Sequence, residues 1–143
     1  MEKKVLFLCT QNACRSQMAE GMVNGMKLTG VRAFSAGTMP FRVHPLALKA
    51  LKEAGVDTGS ARSKHVDEFR GKKFDLVITL CSKAREACPV WPAQGKRLHF
   101  GLPDPAEAPG TEEERLMAFR RVLELIEKEL LPLVERELGL KAD

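Results

Sequence analysis

Tyrosine is absent from the 143 residues, tryptophan occurs once, and aromatics amount to only 6%. A nucleic-acid surface of clustered basic residues interleaved with aromatics is therefore not expected. No apolar run reaches the length of a membrane span, and the longest, such as VLFLC at 5–9, are strand-length. Histidine is scarce: His44, His65 and His99 lie on separate segments without ligand spacing, so no metal site is expected. The start, MEKK followed at once by a short apolar run, lacks the longer apolar core and cleavage site of a secretory signal. A cytoplasmic protein without membrane contact is expected. Glycine and proline, 11 and 8 residues, are too few for a collagen-like or low-complexity chain.

What remains is an ordinary globular composition, 44% hydrophobic and 29% charged, of a length that suits one domain over 1–143. The net charge of +4 conceals an asymmetry. Residues 1–100 carry 17 Lys and Arg against 8 Asp and Glu, whereas 101–143 carry 6 against 11. A basic portion favours an anionic partner, although a solvated surface would produce the same count.

Apolar and β-branched runs at Lys4–Cys9, Val31–Ser35, Phe74–Leu80 and Arg97–Phe100 read as strands, the last one short. Helical spacing begins at Ser16, through Met18, Ala19, Met22, Val23 and Met26, and again over His44–Ala54, with Gly55 as its C-cap. Three prolines make 102–110 a loop. Thr111 and Glu114 form a capping box opening a long helix, which Pro132 should kink or divide. Strands alternating with helices predict an α/β fold: three layers, α/β/α, around a central four-stranded parallel sheet. Ligands in such folds bind beyond the carboxyl ends of the strands.

The first of those ends carries Cys9-Thr10-Gln11-Asn12-Ala13-Cys14-Arg15-Ser16. A short loop entering a helix presents several backbone N–H groups to one point, reinforced by the helix dipole. Arg15 adds a planar fork for two oxygens of a tetrahedral oxyanion. The oxyanion-binding set is therefore Thr10, Gln11, Asn12, Ala13, Cys14, Arg15 and Ser16. Cys9 beneath that cradle is expected as a thiolate nucleophile; as a mere buried hydrophobe it would leave Arg15 and Ser16 unexplained. Cys14 reads as a packing residue, with a protective disulfide to Cys9 as the alternative.

The string LCTQNACRS after a first strand resembles the low-molecular-weight protein tyrosine phosphatase superfamily, in which Cys, five residues and Arg precede Ser or Thr. The likeness extends through FDLVITLC and an Asp-Pro loop to the final helix. It implies that Asp104, before Pro105, is the general acid.

Within the superfamily, TLCSKAREACPVWP resembles the thioredoxin-coupled arsenate reductases, which carry one Cys at the strand's end and another seven residues later, before Pro-Val. That resemblance gives Cys81 and Cys88 their roles. Cys9 attacks arsenate, Cys81 attacks Cys9 as arsenite leaves, and Cys88 closes a disulfide with Cys81 that a thioredoxin-like partner reduces. No cofactor is required, and a monomer is expected. A helix over 82–87 would hold the two α-carbons about 10.5 Å apart, beyond the ~7 Å that a disulfide tolerates. Oxidation is therefore expected to rearrange roughly 81–93.

The alternative is a phosphomonoester hydrolase working through a Cys9 phosphocysteine. Tyrosine phosphatases of the superfamily usually carry tyrosines after Asp-Pro, where Ala106, Glu107 and Ala108 stand here. Residual phosphatase activity is expected from the shared loop. A non-catalytic binding module is a third reading.

Some arsenate reductases of this branch hold potassium behind the loop, and Asn12, Glu20 and Ser35 resemble part of that site. Arg62 and Lys64 fall, by an ungapped count, where its Thr and Asp would be. A cationic side chain replacing the ion, with little potassium dependence, is expected.

Overall fold

The computed structural model describes residues 2–25, 30–81 and 94–140. Strand β1, Lys3–Leu8, is buried on both faces from Val5 onward, as a strand between two parallel neighbours must be. The sheet runs β2-β1-β3-β4, with β2 Val31–Ala36, β3 Lys73–Thr79 and β4 Gln94–His99. All three pairings are parallel, as the alternation of elements implied. The last strand starts earlier than its apolar residues suggest. Gln94 and the exposed Gly95 and Lys96 extend it, with an irregular register between Lys73 and Leu76. Any side chain at Gly95 would meet the Phe74 carbonyl.

Helix α1, Arg15–Gly25, buries Met18, Ala19, Met22 and Val23; Met26 of the expected stripe lies outside the described residues. Helix α2, Pro45–Glu53, is capped by His44, whose Nδ1 accepts from Leu46 N at 3.1 Å, and ends before Gly55 at φ 84°. Helix α3, Glu112–Leu125, opens with the expected capping box. Pro132 then divides the helix. It cannot donate to the Lys128 carbonyl and crowds it, so Ile126–Leu130 widens into a π-turn before α4, Leu131–Glu137. Among the described residues no helix is long and apolar enough to cross a membrane.

The four helices share one core with Val5, Phe7, Leu76 and Ile78. Leu6, Leu8 and Val77 face the other way, onto Val66 and Phe69 of a 3₁₀ turn, Val66–Phe69. Phe34, Phe69 and Phe74 meet edge to face there at 5.7–5.8 Å. The α/β class and the four-stranded parallel sheet stand as read. The second face is covered, among the described residues, by this short turn. At the outer edge of β2, the Asn24 amide accepts from Ala33 N at 2.9 Å and donates to Ala33 O at 3.1 Å. It stands in for the missing strand.

Candidate active site

Cys9 follows β1 directly, and the chain turns through 10–14 into α1. The turn is tight because Asn12 takes φ 51°, a left-handed conformation that Asn tolerates better than most residues. It is also held from outside. Met39 N donates to Thr10 O, Ser63 Oγ to Gln11 O, and His44 N to Ala13 O, at 2.9–3.0 Å. Gly37 packs so close that a Cβ would stand 2.4 Å from Thr10 O and 2.7 Å from Cys9 O.

Cys9, Thr10, Gln11, Ala13, Cys14, Arg15, Asp104 and Ala106 surround a cavity of about 320 Å³. Asp104 is thus brought to the loop from 89 positions on. Its Oδ1 accepts from Ala106 N at 3.0 Å, and its Oδ2 lies 3.8 Å from Arg15 Nη2. Arg15 is buried; Nη1 donates to Leu102 O at 3.2 Å and Leu80 O at 3.5 Å. Cys81, also buried, follows Leu80 but does not line the cavity. Cys88 and the segment expected to rearrange after Cys81 lie outside the described residues.

The side chains of Asn12 and Ser16 turn behind the loop. Both are fully buried and neither lines the cavity, because their side chains form its support. Asn12 Oδ1 accepts from Gln17 Nε2 and from Lys64 N, each at 2.8 Å. Those two donors fix the amide's orientation, so Nδ2 donates to Ser16 Oγ at 2.7 Å. A hydroxyl that accepts this bond keeps its own hydrogen for Cys9 Sγ, 2.8 Å away. Lys64 Nζ donates to Arg62 O at 2.9 Å and lies 3.5 Å from Glu20 Oε1, which also accepts from Ser35 Oγ at 2.9 Å. Arg62 turns outward to pair with Glu68. Gln17 was not singled out from the sequence. Its second bond, to Arg62 O at 2.7 Å, spans 45 positions and leaves no local signal.

Cys14 is a free thiol, like Cys9 and Cys81. Burial pushes it up to about 12, helped by the charges of Asp104 and Cys9 and opposed by Arg15 and Arg115. His44 is shifted downward, first by burial and then by Arg115 and Arg42, against Asp104.

A thiol seated between a strand's carboxyl end and a helix's N-terminus places the protein among α/β folds that hold tetrahedral oxyanions over a cysteine. Residues 4–142 match the low molecular weight phosphotyrosine protein phosphatase family, and the chain belongs to it. An arsenate reductase of Halalkalibacterium halodurans is 46% identical over 138 residues, spanning 94% of this chain and 98% of its own. One from Bacillus subtilis is 43% identical over 136 residues, with the same shares. A solved arsenate reductase in the phosphate binding state superposes with TM-score 0.75 at 31% identity, covering 94% of this chain and 98% of its own.

Proposed function

We infer that this chain reduces arsenate to arsenite, with Cys9 as nucleophile and Cys81 and Cys88 as the dithiol that supplies two electrons. The relatives of this size and likeness are arsenate reductases. The observation that carries the assignment of residues is strand pairing: Leu8 registers with Thr79, and Leu80 N donates to Leu8 O at 2.9 Å. Cys9 and Cys81 therefore leave the carboxyl ends of neighbouring strands.

The loop N–H groups and the Arg15 fork bind arsenate above Cys9. The Cys9 sulfur attacks arsenic, and Asp104 protonates the departing oxygen, which leaves as water. The Cys81 thiolate then attacks Cys9 Sγ; the sulfur–arsenic bond breaks, and its electron pair stays on arsenic as arsenite departs. Cys88 attacks Cys81, returning Cys9 as a thiolate and leaving a Cys81–Cys88 disulfide. Overall, arsenate and two thiols become arsenite, water and one disulfide. A thioredoxin-like dithiol reduces that disulfide by exchange, which suits a monomer in a reducing cytoplasm. Arsenate and phosphate share shape and charge, so the same loop supports slow phosphomonoester hydrolysis.

Three variants in two assays test this reading. Cys9→Ser, Cys81→Ser and Cys88→Ser each abolish thioredoxin-coupled arsenate turnover, whereas only Cys9→Ser abolishes p-nitrophenyl phosphate hydrolysis. Intact arsenate turnover in Cys81→Ser and Cys88→Ser would overturn it.

A further inference from the structure

Arg115 sits in the first turn of α3, directly after Glu112, Glu113 and Glu114. A cation is disfavoured there by the helix dipole. Of the three carboxylates, only Glu112, three residues back, shares its face of the helix, and no ion pair joins the two. Glu114 closes the capping box with Thr111, and Glu113 pairs with Arg120. Among the described residues the Arg115 guanidinium has no hydrogen bond, ion pair or ring contact.

Its neighbours define its direction. Arg115 precedes Phe119 by four residues and shares its stripe of the helix; Phe119 packs on the His44 ring at 4.8 Å. Helical side chains lean toward the N-terminus, here toward the Pro105–Glu107 turn that packs on α3. Asp104 and Ala106, beside and within that turn, line the cavity, and His44 N holds the loop at Ala13 O. The charge of Arg115 is felt on the cavity wall as well, since it opposes the upward push on Cys14 and, with Arg42, discourages protonation of His44. Arg42 keeps its guanidinium over the Phe41 ring, 5.4 Å from the centroid, on the exposed segment leading into His44.

We propose that Arg115 is a second anion-recognition site at the cavity rim, selecting two-centre anions whose tetrahedral head occupies the loop. The second centre is a carboxylate or another phosphoryl group, bound by the guanidinium fork while Arg15 and the loop amides hold the head. Arg15 cannot serve both, because it is buried and committed to Leu80, Leu102 and Asp104. The proposal rests on the loop's being an oxyanion site, and it widens the ligands of that site beyond free arsenate.

Calorimetric binding to the reduced full-length protein separates the two ideas without relying on turnover. The probes are methylphosphonate and phosphonoacetate, which share a non-hydrolysable head and differ by a carboxylate. The unmodified protein binds phosphonoacetate about tenfold more tightly, the scale of one charge-assisted hydrogen bond near a surface. Arg115→Ala removes that preference, weakening phosphonoacetate far more than methylphosphonate, while Arg121→Ala, which deletes an equal charge from the exposed side of α3, keeps it. Equal affinities in the unmodified protein, or a preference surviving Arg115→Ala, would overturn the proposal and leave the loop reading standing. Absence of binding by both probes would overturn the loop reading and this proposal together.

Discussion

Lys64 Nζ lies 3.5 Å from Glu20 Oε1 in the floor behind the oxyanion loop, and both side chains are largely buried. An ammonium group thus sits beside the carboxylate where the resemblance led us to expect a potassium ion or its substitute. Arsenate turnover is accordingly expected to be the same in potassium and in sodium salts at equal ionic strength. Lys64→Ala leaves Glu20 without its cation. It is expected to cost about 2 kcal/mol of stability, less than a fully buried pair because Ser35 still donates and Glu20 meets solvent. Denaturant titration of the variant, and turnover in both salts, check the two outcomes.

Ser16 is the last link of the relay from Lys64 N and Gln17 through Asn12 to Cys9. Ser16→Ala deletes a hydrogen bond to the sulfur proposed as nucleophile. A loss of roughly 10- to 100-fold in kcat/KM follows, the range for one hydrogen bond to a charged group. Single-turnover reaction with arsenate measures it. Gln17→Ala is expected to act in the same direction and more weakly, since Lys64 N still anchors Asn12.

Gly37→Ala places a methyl group against two loop carbonyls and Asn12 N, all within 2.8 Å. Backbone cannot move aside as a flexible side chain would. The loop should shift, with stability falling by about 1–3 kcal/mol and phosphate binding weakened even where the variant remains folded. Calorimetry with inorganic phosphate reads the second effect.

Asn24→Ala exposes the outer N–H and C=O of Ala33 on the edge strand. A stability loss of about 1–3 kcal/mol is expected, together with earlier aggregation on heating, because an unpaired edge recruits other chains. Light scattering during thermal unfolding tests it.

Cys14 supplies a pH dependence. Its ordinary value is 9.0 and folding raises it to about 12. A group raised on folding contributes stability that is complete below the unfolded value and disappears as pH climbs through the folded one. Stability should therefore fall between pH 9 and about 12 more steeply in the unmodified protein than in Cys14→Ser, as read by denaturant midpoints.

Features encoded locally were legible in the sequence. The loop from Cys9 to Arg15 and the box of Thr111 with Glu114 lie within a few residues of one another, so their geometry follows from spacing. Asp104 was reached through family likeness, and the structure brings it within 3.8 Å of Arg15. Gln17 and Gly37 act through groups that only the tertiary fold brings near, and neither residue type marks such a role. The start of β4 was obscured because Gly95 and Lys96 are exposed and carry no apolar pattern. The bonds of the Asn12 amide to Gln17 and Lys64 were not legible, because sequence cannot say which way a buried polar side chain turns.

The pairing of β1 with β3 has a consequence for how this protein can change. Each strand residue advances about 3.3 Å and reverses facing at every step. One residue gained or lost before Cys9 or before Cys81 would carry a sulfur a full increment away and onto the wrong face. On the proposed mechanism, electron delivery is in this sense calibrated by sheet alignment, and length variation is expected in the outer connections rather than inside those two strands.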